Sequence, residues 1–294
     1  MAVDFTAGAA ARRRGTLLAT VGVLALSFDA LLVRLASAGG AEVVFWRGLL
    51  MAIALSAVLR MRHGRWPRAV LRDGGAPALL VAVGFAATLT LFVLAVLHTR
   101  VANVVVILAA APLFAALFSG VFLREWVPLR TWLAIALSLA GIALVFGGSV
   151  GPGNWRGDLF ALAAAVVVGG NFTLLRRSPG VDRMASVALA GLLAALAALP
   201  FAQPLAVPPA GAVALAVMGL VQMPVALACM AEATRHLPSA EVALFLLLET
   251  VLGTLWVWWL LGEEPPGATL LGGALVLGTL AAHALWGLRR APRH

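Results

Sequence analysis

Five polar side chains lie within long apolar stretches of this 294-residue chain, where groups that ionise or hydrogen-bond are costly to hold. They are Asp29, Arg47, Asn171, Gln222 and Glu249. A carboxylate can hold an ammonium group, a guanidinium can hold a carboxylate through two parallel bonds, and an amide can bond to either. These residue types suit the two ends of a small zwitterion, so all five are candidate substrate-binding residues.

Asp29 and Arg47 have an equally good structural interpretation. Asp29 precedes the end of its apolar run and Arg47 follows the start of the next, so the two lie at comparable depth on adjacent antiparallel helices. They can form an ion pair that fixes these helices, or they can hold the ammonium and the carboxylate of a substrate. The two roles are compatible if they belong to different states of one functional cycle.

Glu249 lies near the middle of its apolar run and has no basic partner on that run. Burial disfavours the charged form of a carboxylic acid, which makes Glu249 a candidate proton carrier or ammonium contact. The alternative is a protonated acid bonded to a neighbouring helix. For the amides of Asn171 and Gln222, bonding between helices is the more common role.

Composition indicates a membrane protein. Apolar residues make up 63% of the chain and charged residues 11%, against roughly a quarter charged in a soluble domain. The net charge of +9 is the excess of 21 basic residues over 12 acidic ones. All the basic residues are arginines, which form short clusters between apolar runs. That pattern is typical of membrane topology and not of nucleic-acid binding. We predict no cofactor, because the sequence has neither a phosphate-binding Gly-Lys-Ser/Thr loop nor metal-ligand spacing.

Runs of about 20 apolar residues are long enough to cross a bilayer. They predict an all-α polytopic fold of ten transmembrane helices, the first of them a retained helix and not a cleaved signal peptide. The predicted spans are 16–35, 42–60, 76–97, 101–122, 128–147, 157–175, 184–201, 210–231, 241–261 and 267–287.

Arginine positions orient these spans. With a cytoplasmic N-terminus, 17 arginines fall in the inner segments, and the outer segments keep only Arg34, Arg100 and Arg156. Because cytoplasmic loops retain positive charge, both termini are predicted to be cytoplasmic.

The chain also repeats internally. An offset of 138 residues aligns the pairs His98 and His236, Glu125 and Glu263, Pro128 and Pro266, and Thr131 and Thr269. A slip of four residues extends the alignment to Asp29 and Asn171, and to Arg34 and Arg176. The repeats are residues 1–150 and 151–294, with five spans each. Because five is odd, the halves insert with opposite orientation, as in many secondary transporters.

The chain resembles the drug/metabolite transporter superfamily, in its EamA branch. The resemblance rests on Phe45-Trp46-Arg47, on Ala111-Pro112-Leu113-Phe114, and on the acidic link Leu123-Arg124-Glu125-Trp126-Val127-Pro128-Leu129, which Leu261-Gly262-Glu263-Glu264-Pro265-Pro266 echoes. Ala140-Gly141-Ile142 also fits. The second half departs from the pattern, since Glu249-Thr250 stands where the first half has Ala111-Pro112. That difference puts a bend of the ninth helix in question.

Within this branch the chain is similar to YddG-type amino-acid exporters, which are inner-membrane proteins. The resemblance implies a secondary transporter or facilitator that exports amino acids or similar small polar metabolites by alternating access. Its partners would be this substrate and the lipid bilayer, with no nucleic acid; proton coupling and oligomeric state are left open. The alternatives are a carrier for drugs, nucleosides or amines, or a non-transporting membrane enzyme or scaffold. An enzyme would need a catalytic cluster at one depth, which these polar residues do not supply.

Overall fold

The computed structural model describes residues 5–64, 67–122, 129–148, 154–178, 180–233, 236 and 239–290. Within these ranges the structure is helical and contains no β-strand. The α-helices are α1 Phe5–Ser27, α2 Asp29–Leu35, α3 Gly40–His63, α4 Pro67–His98, α5 Val101–Leu108, α6 Ala111–Phe122, α7 Leu129–Gly148, α8 Asn154–Arg177, α9 Arg183–Ala198, α10 Pro209–Ala216, α11 Met223–Ala233, α12 Ser239–Leu261 and α13 Gly267–Arg290. A 3₁₀ turn, Pro204–Ala206, precedes α10, and a π-helical stretch, Val217–Gln222, joins α10 to α11.

The length and apolar composition of the helices fit a polytopic membrane protein, in which each helix satisfies its own backbone hydrogen bonds within lipid. Six apolar stretches of the described residues are long enough to cross a bilayer: Arg13–Leu35, Gly40–Met61, Gly74–His98, Val101–Phe122, Trp155–Leu175 and Pro209–Met230. Four further apolar helices are shorter: Trp132–Gly148, Arg183–Ala198, Leu248–Leu261 and Gly267–Ala282. Each stretch overlaps one of the ten predicted spans, but only six of them reach the length that a helix needs to cross a bilayer. The count of ten therefore stays a prediction.

Three of the predicted spans are interrupted. Phe28 separates α1 from α2, and Ala109 and Ala110 separate α5 from α6. The third interruption is the π-helical stretch Val217–Gln222, which widens the helix locally. By contrast, α12 runs unbroken through Glu249 and Thr250. The second half thus lacks the break that the first half has immediately before Ala111 and Pro112.

The start of the third span is set by Gly75 and Pro77. Gly75 has φ +59° and ψ −151°, a conformation open to glycine alone. The turn at Gly75 separates the segment from Pro67 to Gly74 from the membrane-crossing part of α4. Pro77 lies in the first turn of that part, where a helix tolerates the missing N–H of proline. The predicted span began at residue 76, in agreement with this turn.

Small residues let the helices approach closely. A Cβ atom on Gly48 of α3 would lie 2.5 Å from the carbonyl oxygen of Gly191 of α9, and one on Gly191 would lie 2.5 Å from the carbonyl of Gly48. Gly272 of α13 meets the carbonyl of Gly141 of α7 in the same way. Without a hydrophobic force between helices in lipid, such close contact is a main source of helix association. Large apolar side chains such as Leu271 and Trp259 are exposed on the outside.

We expect Gly48→Val to lower the thermal unfolding midpoint in detergent, because the added side chain would separate α3 from α9. Overpacking costs roughly 1–3 kcal/mol where the surroundings can adjust, and here the obstacle is backbone. Gly278→Ala in α13 is the control, since nothing lies within 4 Å of its Cβ position. Its midpoint should stay equal or rise, because alanine favours helix by about 1 kcal/mol over glycine. Equal midpoints for Gly48→Val and the parent would contradict this account of the α3–α9 contact.

Candidate functional site

The break between α1 and α2 positions the first candidate residue. Phe28 adopts φ −81° and ψ −6°, and Asp29 becomes the first residue of α2, where a carboxylate interacts favourably with the helix dipole. The Phe28 ring stacks on Trp256 of α12, with ring centroids 4.9 Å apart and planes 13° from parallel. Trp256 Nε1 also donates to Ser27 Oγ at 3.0 Å. The break is therefore held in place by a helix of the second half.

Asp29 and Arg47 form a buried ion pair. Arg47 Nη2 lies 2.7 Å from Asp29 Oδ2, and the side chains are 4% and 9% exposed, respectively. The guanidinium carbon of Arg47 also lies 5.4 Å from the centroid of the Phe92 ring of α4, within range of a cation–π contact. The predicted pairing of these two residues is confirmed, and their role in substrate binding stays a prediction.

This ion pair leaves several of its polar atoms without a hydrogen bond to the described residues. They are Oδ1 of Asp29 and both Nε and Nη1 of Arg47. A buried polar atom without a partner costs about 1–3 kcal/mol. The pair therefore presents one acceptor and two donors that a bound molecule can satisfy.

Gln222 lies at the end of the π-helical stretch, a kind of helix distortion that is frequent at functional sites. Its Nε2 donates to the carbonyl oxygen of Ala25 at 3.0 Å, one helical turn before Asp29. Its Oε1 is buried and has no partner among the described residues. Gln222 thus joins α1 to the second half, as expected for an interhelical amide, and adds a second unpaired acceptor near the ion pair.

Glu249 lies in α12, seven residues before Trp256 and partly buried. A Cβ atom on Gly253, one turn after Glu249, would lie 3.5 Å from the carbonyl oxygen of Ser27, so this part of α12 passes next to the break between α1 and α2. Within the described part of the chain, Glu249 takes part in none of the hydrogen bonds or ion pairs. The structure therefore brings Asp29, Arg47, Gln222 and Glu249 to one region, around the break in the first span.

Asn171 lies elsewhere, in the contact between α8 and α4. Its Nδ2 donates to the carbonyl oxygen of Val81 at 3.4 Å. Its amide also occupies the space beside Gly84, where a Cβ atom would overlap Oδ1. Asn171 is therefore an interhelical amide in this structure. Its contacts are with α4 and not with the other four candidate residues, and its assignment to substrate binding stays a prediction.

A second buried polar cluster was missed in the sequence analysis. Thr99 Oγ1 donates to Oδ1 of the fully buried Asp158 at 2.7 Å. Asn103 Nδ2 donates to the same oxygen at 3.1 Å, and Thr269 Oγ1 donates to Asn103 Oδ1. Asp158 falls at the edge of a predicted span, where an acid is ordinary, so it gave no signal. Thr269 did appear in the repeat, aligned with Thr131.

Close to this cluster, Arg34 and Glu263 bridge three segments of the chain. Arg34 Nη2 donates to the carbonyl oxygen of Thr99 at 2.8 Å and lies 3.1 Å from Glu263 Oε2. Glu263 Oε1 accepts a hydrogen bond from the backbone nitrogen of Val101 at 2.7 Å. Both residues appeared in the repeat alignment, but their pairing was not predicted.

Comparison with known proteins places the chain among transporters. It is 31% identical over 270 residues to a probable terminal-alkyne amino-acid exporter of Streptantibioticus cattleyicolor, covering 88% of this chain and 89% of the relative. It is 26% identical over 274 residues to a pseudopaline exporter of Pseudomonas aeruginosa, covering 90% and 94%. A protein of known crystal structure shares the fold, with a TM-score of 0.64, 21% identity and coverage of 95% and 99%.

The family model of EamA-like transporters matches residues 13–147 and 155–282, which together make up most of the chain. The resemblance that the sequence motifs indicated is thereby confirmed. The chain belongs to the EamA-like transporter family.

Proposed function

We propose that this protein exports amino acids or similar small polar metabolites across the inner membrane by alternating access. Two similar proteins of the family are named as exporters, one of a terminal-alkyne amino acid and one of pseudopaline. Each aligns with most of the chain, and the segments that the family model matches, 13–147 and 155–282, include Asp29, Arg47, Gln222 and Glu249. A carrier for drugs, nucleosides or amines is the alternative within the same family.

The observation that carries the proposal is the set of unpaired atoms around the Asp29–Arg47 pair. Arg47 Nε and Nη1 are donors, and Asp29 Oδ1 and Gln222 Oε1 are acceptors. An amino acid carries a carboxylate that needs donors and an ammonium group that needs acceptors. A zwitterion can therefore satisfy both sets at once, whereas a phosphate ester would need more cations than Arg47 alone supplies.

Glu249 adds a charge that the ion pair does not balance. Asp29 and Arg47 neutralise each other, so an ionised Glu249 leaves the site with a net negative charge. A substrate ammonium or a proton would remove that excess. In the proposed function, Glu249 couples substrate binding to protonation or holds the ammonium directly.

The arrangement of ten spans in two inverted repeats is supported by the helix contacts. The contact of α1 with α11 corresponds, on exchange of the halves, to that of α8 with α4, and the contact of α1 with α12 corresponds to that of α8 with α6. The α3–α9 and α7–α13 contacts each join the equivalent spans of the two halves, so the exchange leaves them unchanged. A pseudo-twofold axis between two five-span halves explains all six contacts, and such an axis suits a carrier with two oppositely open states.

We expect reporters of membrane side to alternate as the ten spans require. A reporter fused after Pro67 or Arg177 should be cytoplasmic, and one after Asn154 or Pro204 should be external, because positive charge is retained inside. The side of the membrane at each site is measured by the activities of two fused reporters, one active in the cytoplasm and one active in the periplasm. Finding Pro67 and Asn154 on the same side would contradict both the span count and the inverted repeat.

Neutralising both Asp29 and Arg47 distinguishes a substrate-binding role of the pair from a purely structural one. Replacing a buried ion pair by neutral groups is often tolerated, so Asp29→Asn with Arg47→Gln should unfold near the parent's midpoint. If the pair binds substrate, loss of charge-assisted bonds worth about 1.5–3 kcal/mol should weaken amino-acid counterflow in liposomes by about ten- to hundredfold.

The control for this experiment is Thr90→Val. Among the described residues, the Thr90 hydroxyl bonds only within its own helix, to the carbonyl oxygen of Ala86. The variant's counterflow should stay near that of the parent. A doubly neutral variant that folds and transports a panel of labelled amino acids normally would leave the pair with a structural role alone.

Glu249→Gln keeps the shape and hydrogen-bonding capacity of the side chain but removes its titration. We expect the variant to insert and melt like the parent, while transport falls or loses its dependence on pH. The measurement is counterflow in liposomes across a pH series, with the expressed and folded protein quantified in parallel. Unchanged transport at every pH would make Glu249 a packing residue.

A further inference from the structure

The site around the Asp29–Arg47 pair holds two acidic side chains and one basic side chain, because Glu249 adds a second carboxylate. Asp29 and Arg47 neutralise each other at 2.7 Å, so an ionised Glu249 has no counterion among the described residues of the site. An isolated charge is costly to hold inside a bilayer. A substrate with a net positive charge removes this cost, whereas an amino acid with one ammonium and one carboxylate is neutral overall and does not.

Helix α12 runs alongside α1 in the same direction. Near one end of their contact, Phe245 packs against Ala19. Farther along both helices, a Cβ atom on Gly253 would lie 3.5 Å from the carbonyl oxygen of Ser27. Eight residues separate these two contacts on each helix. Residues midway between the contacts on the two helices therefore lie at the same level along the helix axis.

This alignment places the two carboxylates at different levels. Glu249 is midway between the two contacts on α12, which makes it level with Val23 of α1. Asp29 follows Val23 by six residues in the same apolar stretch, which corresponds to about 9 Å along the helix axis. Gln222 bonds to the carbonyl oxygen of Ala25, at a level between the two. The acceptors of the site are therefore spread along the helix axis instead of lying at one level.

Unpaired atoms indicate that these side chains can bind a ligand. Asp29, Arg47 and Gln222 are each more than nine-tenths buried, and each has a polar side-chain atom without a partner among the described residues. A bound molecule that supplies the missing partners removes the cost of leaving such atoms unpaired. The unpaired donors belong to Arg47, beside Asp29, whereas acceptors extend from Asp29 past Gln222 to Glu249. The carboxylate of a ligand therefore belongs at the Arg47 end, and cationic groups can bind at both ends.

We propose that the substrate is a cationic amino acid, with an ammonium or guanidinium group at the end of its side chain. Its carboxylate binds Arg47, its α-ammonium group binds Asp29, and its terminal cation binds Glu249, with Gln222 as an acceptor between them. The positive charge of this substrate balances the charge of the site. This assignment rests on the proposed function, since it narrows the class of amino acid that the same site transports. It makes Glu249 the residue that determines specificity for charge.

The test is counterflow in liposomes with the full-length parent protein and with pairs of labelled amino acids that differ only in the terminal ammonium group. Lysine is compared with norleucine, and ornithine with norvaline. We expect the half-saturating concentration of the cationic member to be lower by about ten- to hundredfold, the effect of one charge-assisted hydrogen bond. Diaminopropionic acid, whose two ammonium groups are on adjacent carbons, should gain less than lysine, because it cannot reach both carboxylates.

Variants of α12 then assign the preference to one residue. Glu249→Gln keeps the size of the side chain and removes its charge, so it should lose the preference for lysine while norleucine counterflow stays at or above the parent's. Glu249→Asp keeps the charge and should retain the preference. The matched control is Thr254→Val, because among the described residues the Thr254 hydroxyl bonds within its own helix, to the carbonyl oxygen of Thr250 at 3.0 Å. This control should keep the parent's preference.

Equal half-saturating concentrations for lysine and norleucine in the parent would overturn the cationic substrate class and leave amino-acid export standing. A preference for lysine that persists in Glu249→Gln would overturn the role of Glu249. If the folded parent showed no counterflow of any amino acid, the proposed function itself would be wrong, and the substrate class with it. Because the first comparison uses the parent alone, it decides the substrate class even if a variant does not fold.

Discussion

Moving a carboxylate and a guanidinium out of water costs several kcal/mol per ion, and the structure around Asp29 and Arg47 is organised by that cost. The 2.7 Å contact between them recovers part of it, as do the dipole at the start of α2 and the ring of Phe92. The recovery is incomplete, because Asp29 Oδ1 and two nitrogens of Arg47 remain unpaired among the described residues. A site that stabilises its charges only in part retains the capacity to bind a ligand with complementary charges.

Helix irregularities around the pair determine where these atoms point. The break at Phe28 puts Asp29 at the start of a helix. The π-helical stretch ends at Gln222, which bonds to Ala25, one helical turn before Asp29. Both irregularities are stabilised by contacts across the halves, since Phe28 stacks on Trp256 and Gln222 bonds to α1. The local geometry of the site is thus a product of packing between the two halves and belongs to neither half alone.

This origin explains what the sequence could and could not predict. Hydropathy located every apolar helix, and the matching depth of Asp29 and Arg47 predicted their pairing. The break at Phe28 was not predictable, because neither proline nor glycine occupies that position and the cause lies in a distant tryptophan. Asp158 was missed for a related reason: an acid at the edge of a span is unremarkable until its partners, Thr99 and Asn103, are known to face it.

Several helix contacts correspond when the two halves are exchanged, but the polar groups do not. Under the repeat alignment the acceptors around the ion pair correspond to an amide, a glycine and an alanine: Asp29 to Asn171, Gln222 to Gly84, and Glu249 to Ala111. On that second side Asn171 fits against Gly84 and bonds to Val81, so its polar group is satisfied within the protein. Four of the seven buried side-chain atoms that lack a partner among the described residues belong to Asp29, Arg47 and Gln222. Packing is required equally by both halves and cannot account for this difference, whereas a small substrate with a charged end needs polar partners on one side only. In the proposed exporter, matching contacts in the two halves suit an exchange between two open states, and the differences at these three positions suit the recognition of a substrate.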